Sequence, residues 1–262
     1  MVVCSIATGI PLAGSHADER SDTEGEWGHT ETVAAPGPAR FELSAGAQAF
    51  SHAWSLYSGV TAAPSGLGAD GLRVRASAGY GAYSYSGRRP VGVGPETVTF
   101  HGVTTFGELL IGYQKQLGPV IVKGFAGLAA ADHVLSPDDP ETTIRGRSLG
   151  GKAALETWWT ISDRTWSSFD VSWASVHDSY AARARLGWRL LPELSAGLEA
   201  GAAGNLEGDA ARLGGFLRYE WPGGELSASG GWSSDGVLQA IQGNALTRSS
   251  TPFGTFSWLT RF

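Results

Sequence analysis

Cysteine is nearly absent from this chain: Cys4 is the only one in 262 residues. A lone thiol forms no disulfide frame and no cysteine-based metal site. Charge is also scarce, with 17% of residues charged against about 25% in soluble globular proteins. Leu, Ile and Val are too few for a large soluble core. No run of about 18 apolar residues occurs, which excludes a transmembrane helix. Membrane-spanning strands are not excluded, because their alternating pattern cancels in a mean hydropathy of −0.08. The net charge is −6, and the basic residues are scattered, so no nucleic-acid partner is indicated. Signatures of chemistry are missing too: there is no G-x-S-x-G elbow and no calcium-loop spacing.

What is abundant is glycine, at 38 residues, and tryptophan, at 10. Gly, Ala and Ser with many aromatics suit strands that are thin on one face and aromatic on the other. The start reads as processing sequence. Residues 1–17 hold a short apolar stretch ending in Ser15-His16-Ala17, a small-x-small cleavage pattern, without the positive flank of a full leader. Cys4 would leave with this truncated signal peptide. Val2 and Val3 precede it where a lipoprotein would carry small residues. Residues 18–40 are acidic, then Pro/Gly-rich, and read as a periplasmic tail.

From residue 41 to 262 nearly everything alternates as strands do. Tight turns stand at Leu117-Gly118-Pro119, Ser162-Asp163-Arg164, Leu191-Pro192-Glu193 and Trp221-Pro222-Gly223-Gly224. Longer polar breaks stand at 87–96, 135–142, 204–210 and 236–249. Short and long connections that alternate predict a single antiparallel up-and-down transmembrane β-barrel, all-β. Counting back from a last strand at 250–262 gives ten strands. Both termini end on one side if 41–62 is a further pair bent near Ser51-His52, so about twelve strands are expected, with ten as the fallback.

The faces sort by parity. Arg183, Arg185 and Arg189 oppose Ala182, Ala184, Leu186 and Trp188; Asp170 opposes Phe169, Val171 and Trp173. A charge facing lipid at the midplane costs roughly 2–4 kcal/mol, so the charged row is assigned to the lumen. Its candidates are Arg73, Arg75, Glu108, Lys123, Lys152, Glu156, Asp170, Arg183, Arg185, Glu199, Arg212 and Arg218. Such a row of mixed sign favours a filled or narrow barrel over an open porin. A soluble lipocalin-like barrel would use the same alternation in the opposite sense. The final stretch "FGTFSWLTRF" argues for the membrane sense, because it resembles the terminal strand of bacterial outer-membrane barrels, with Phe256, Trp258 and Phe262 on one face.

Trp158, Trp159, Trp166, Trp173, Trp188, Trp221 and Trp258, with Phe262, are assigned to an interfacial aromatic girdle rather than to a sugar-stacking platform. His133, Ser136 and Asp138 lie close in sequence, but six residues of loop do not make a triad converge. Asp132, Asp138, Asp139 and Glu141 read as a solvated loop rather than a cation site. His133, Asp138 and Asp139 are the external-loop candidates, and no catalytic residue, cofactor or metal is indicated.

Several segments together resemble the alphaproteobacterial cellulose-biosynthesis family BcsS. They are "DGLRVRASAGYGAYSYSG" (70–87), "IGYQKQLGPV" (111–120), "FAGLAAADHVLSPDDP" (125–140), "GGKAALETWW" (150–159), "SYAARARLGWRL" (179–190), "GLEAGAAGN" (197–205), "RLGGF" (212–216) and "SASGGWSSD" (227–235). The most specific are residues 79–85 and 133–140; Leu198 departs from an expected proline. The resemblance implies a non-enzymatic barrel in the outer membrane of a Gram-negative bacterium, supporting cellulose biosynthesis or export. Its implied partners are outer-membrane lipid, glucan and other secretion components. A lipid-modifying barrel enzyme and a small general porin are the alternatives.

Overall fold

The computed structural model describes residues 38–91, 94–235 and 250–262. The expected leader and nearly all of the acidic tail, and the break at 236–249, lie outside these residues. Twelve antiparallel strands close into one barrel. In chain order they are β1 (Phe41–Phe50), β2 (Ala53–Ala62), β3 (Gly71–Val91), β4 (Gly94–Leu117), β5 (Val120–Ser136) and β6 (Gly146–Thr160). β7 (Thr165–Ala174), β8 (Ser179–Arg189), β9 (Leu194–Asn205), β10 (Gly208–Trp221), β11 (Gly224–Asp235) and β12 (Ser250–Arg261) complete it. One 3-10 turn, Val176–Asp178, joins β7 to β8. The pair within 41–62 bends at Ser51-His52, as the parity of the termini requires.

Closure pairs the first strand with the last, from Glu42 opposite Arg261 to Phe50 opposite Phe253. The terminal residue completes this seam. The Phe262 carbonyl accepts from the amides of Arg40 and Phe41 at 2.8 Å each, and its own amide donates to Phe41 O at 2.9 Å. The Phe41 and Phe262 rings stack at 5.9 Å. A closed barrel leaves no unpaired sheet edge, which the hydrocarbon region demands.

Two expected breaks fall between strands but are shorter than expected. The glycines and prolines of 87–96 suggest a loop, yet pairing continues to Val91 opposite Gly94. The 204–210 segment turns in two residues, Leu206 and Glu207, with pairing resuming at Gly208 opposite Asn205. In both cases the growing ladder overrides local turn chemistry. The expected 135–142 break is real and somewhat longer, spanning 137–145 between β5 and β6.

The burial pattern is inverted relative to a soluble protein. Leu109, Ile111, Leu128, Leu155, Phe169, Leu186, Leu198, Leu213, Leu217 and Phe256 stand exposed on the outer wall. Glu42, Arg73, Arg75, Gln114, Glu156, Arg185, Glu199, Arg218 and Glu225 are buried inside. An apolar band outside and a polar interior make this a membrane-spanning barrel of the outer-membrane kind, and its place is the outer membrane. No helix among the described residues is long and apolar enough to cross a membrane.

Candidate functional site: a filled lumen and a roofed chamber

The lumen divides into a packed half at the end carrying the termini and a chamber at the other end. In the packed half, carboxylates and guanidiniums from different strands pair across the interior. Arg75 holds Glu156 through two bonds, at 2.5 and 3.1 Å, and lies 4.0 Å over the Phe125 ring. Arg183 binds Asp170 at 2.9 and 3.1 Å. Glu199, fully buried, takes Arg185 at 2.6 Å and Arg212 at 3.1 Å. Arg218 reaches Glu225 at 2.5 Å and Glu220 at 2.9 Å. Lys152 pairs with Glu108, which also accepts from Ser77 at 2.7 Å. Lys123 stands opposite Glu156 in the β5–β6 register.

Arg73, an inward-row candidate, does something else. Its guanidinium donates to the carbonyls of Gly66, Leu67 and Ala69, at 3.1, 3.1 and 2.6 Å. Gln114 donates to Leu67 and Ala69 as well, at 3.3 Å each. These bonds tie the 63–70 connection against the barrel mouth beside the termini, with Leu67 buried. At the rim of that loop Asp70 accepts from the Lys115 ammonium at 2.5 Å and from the Gln116 amide. The bond from Lys115, then that from Gln116, holds the Asp70 carboxyl below the usual range.

Trp158 and Trp166 overturn part of the girdle expectation. Both are buried within the barrel, stacked at 4.2 Å, and they form its apolar cluster with Ile121 and Phe216. Arg218 lies over both indoles, at 4.7 and 5.1 Å. Gly187 makes room: a Cβ there would come within 2.4 Å of the Trp166 ring. The signal was present in parity, since Trp158 shares a row with Glu156, and Trp166 with Asp170. Aromatics read as lipid-facing because charge marks a face and indole does not. Trp159, Trp173, Trp188 and Phe262 are exposed on the wall, with Trp221 and Trp258 half-buried.

At the far end, residues 137–145 form a strap. The Glu207 carboxylate, from the β9–β10 turn, clasps it. Glu207 accepts from the Thr142 hydroxyl at 2.5 Å, the Thr143 amide at 2.7 Å, the Thr143 hydroxyl at 3.1 Å and the Ile144 amide at 3.1 Å. Burial works to raise the Glu207 pKa, but these bonds outweigh it and hold the carboxyl below its ordinary value. On the strap's other side, Tyr85 donates to Asp139 at 2.6 Å, and Asp139 accepts from the Glu141 amide at 3.1 Å. Asp138 is exposed and Asp139 buried.

His133, expected in the external loop, stands instead inside β5, where it lines the interior. It lies on the odd row with Ile121 and Phe125; pairing with β4 carries on past it to Ser136, and pairing with β6 ends on it, opposite Gly146. Its ring nitrogens lie 3.5 Å from the Tyr83 hydroxyl and 3.4 Å from that of Thr104, and its ring is 5.2 Å from that of His177. Tyr83, Tyr85 and Phe100 continue the line of rings, at 6.3 and 5.1 Å. Residues 79–85 and 133–140, separate in sequence, therefore meet in one wall. His177 and Glu207 carried no sequence signal; burial lowers the His177 pKa. Among the described residues no group of His, Cys, Asp and Glu is arranged to hold a metal.

Several solved outer-membrane barrels are similar in shape. A KdgM porin is 8% identical, with a TM-score of 0.45 over 84% of this chain and 99% of the other. The translocator domain of autotransporter NalP from Neisseria meningitidis is 12% identical, with 0.47 over 87% and 90%. The COG4313 outer membrane channel from Pseudomonas putida F1 is 11% identical, with 0.44 over 90% and 100%. Comparison with curated proteins finds no match. A family model, however, matches residues 43–262, nearly the whole barrel, and the chain belongs to that family: cellulose biosynthesis protein BcsS.

Proposed function

We propose that this barrel is a non-enzymatic accessory of bacterial cellulose biosynthesis, acting at the outer membrane as a stoppered scaffold rather than a conduit. The observation that carries this reading is the filled cross-section. Five ion-paired clusters and the Trp158–Trp166 stack occupy the half nearest the termini, and the 63–70 loop lies against its mouth. A glucan chain would need that whole cross-section to clear. The end carrying the termini faces the periplasm in this reading, since short turns belong there. The strap, with Asp138 and Asp139, then faces outward and presents the surface through which the barrel meets glucan or other secretion components.

The test has two parts. Deleting the gene and restoring it should lower and recover cellulose yield; an unchanged yield would sink the cellulose role. The purified barrel in planar bilayers should give no steady conductance, whereas a constant open current would refute the stopper. Asp138→Ala with Asp139→Ala should change cellulose yield while the heat-shifted barrel band on a gel keeps its intensity.

A further inference from the structure

We infer that the chamber beneath the 137–145 strap is a binding site for a short neutral oligosaccharide, such as the end of a glucan chain. The inference deepens the cellulose reading and rests on it for the choice of sugar. The chamber is lined by Thr104, Phe106, Glu108, His133, Lys152 and His177. The Glu108–Lys152 pair lines it on the side of the packed half of the lumen. Ile144 of the strap and Val176 of the 3-10 turn, both buried, sit at its roof.

The chemistry of the lining selects the ligand class. Phe106 and the two imidazoles offer apolar or aromatic faces, and the Ser172 and Ser179 hydroxyls offer uncharged hydrogen bonds. Among the described residues lining it the only charges are Glu108 and Lys152, which pair with each other, so neither an anionic nor a cationic ligand is favoured. A lipid tail would leave the polar groups unpaired. A sugar has apolar C–H faces and a rim of hydroxyls, and concave sites that mix apolar walls with a few placed polar groups suit it.

Two further observations converge on His177. Its backbone is held at φ 54°, and the next residue, Asp178, at φ 45°. Consecutive left-handed positions without glycine cost roughly 1–2 kcal/mol each and persist where the surroundings impose them, often at binding sites. The His177 Nε2 atom is buried without a hydrogen-bond partner among the described residues. His177 lines the chamber, and the strained backbone fixes its ring there.

Calorimetry on the detergent-refolded full chain tests this, using cellotetraose, maltotetraose and an acidic tetrasaccharide as probes. Cellotetraose should bind, and His177→Gly should weaken it about ten-fold or more, the equivalent of one lost contact. Glycine accepts the left-handed backbone, so this variant removes the ring without adding strain. Glu193→Ala, on an exposed turn at the opposite end, should bind as wild type does. Absence of binding by a heat-shifting, folded barrel would overturn the site, as would undiminished binding by His177→Gly or a preference for the acidic sugar. A cellulose yield unaffected by gene deletion would instead overturn the cellulose role, leaving sugar binding to stand or fall on the calorimetry.

Discussion

Glu199 is the residue on which the packed lumen can be tested most directly. It is fully buried and stands between Arg185 at 2.6 Å and Arg212 at 3.1 Å. Ser229 adds a longer contact at 3.5 Å, and Arg185 lies 4.9 Å over the Phe216 ring. Glu199→Ala would leave two guanidiniums facing each other with no carboxylate between them. Removing one partner of a buried ion pair costs about 3–5 kcal/mol, because the charge left behind is uncompensated. If water filled this part of the lumen, the same loss would be screened to about 0–1 kcal/mol. The two cases differ enough for equilibrium urea unfolding in lipid vesicles, followed by tryptophan fluorescence, to separate them. A loss of at least 3 kcal/mol is expected on the dry-lumen figure. Replacing the triad together, by Glu199→Leu, Arg185→Leu and Arg212→Leu, should recover most of that loss, since a matched apolar set carries no desolvated charge. A single-variant loss under about 1 kcal/mol would refute the reasoning and turn the stopper into a wet, conducting lumen.

Three further outcomes follow from the same geometry. Trp158→Ala with Trp166→Ala removes the stacked pair beneath Arg218 and should raise single-channel conductance in planar bilayers above a closed wild-type baseline; an unchanged baseline would show that the indoles are not part of the stopper. The Glu207 clasp depends on pH: its folded pKa is depressed, so its stabilisation is complete above the unfolded value of about 4.3 and is lost as pH falls through the folded value. Hydrogen exchange at the Thr143 and Ile144 amides should therefore speed up in acid beyond its intrinsic pH trend, and Glu207→Gln should remove that pH step. Deleting Phe262 takes away three backbone hydrogen bonds, two to its carbonyl and one from its amide, and the stack on Phe41, at roughly 0.5–1.5 kcal/mol per hydrogen bond; a lower urea midpoint for the refolded barrel is expected, and an unaltered one would deny the seam its role.

Alternation and the spacing of turns make the strand count and the sense of the barrel legible in the sequence. A side chain's face follows from its parity, and a charge on the lipid face is costly enough to say which parity points inward. Parity sorted the charged candidates into inward rows without saying which would pair; the pairing of Arg183 with Asp170 and of Arg185 with Glu199 is set by strand register. Parity also held the correct answer for Trp158 and Trp166, but indole is stable on either face, so residue type misassigned them. Local composition put breaks in the right places at 87–96 and 204–210 but made them too long, since ladder pairing there outweighs glycine and proline. What only the tertiary structure decided is the chamber. Tyr85 with Asp139, His133 with His177, and Glu207 with the strap join elements that are not neighbours in the sheet and meet only across the interior and mouth of the closed barrel. No periodicity records which loop folds over which mouth, because that choice belongs to the closed ring and not to any one strand.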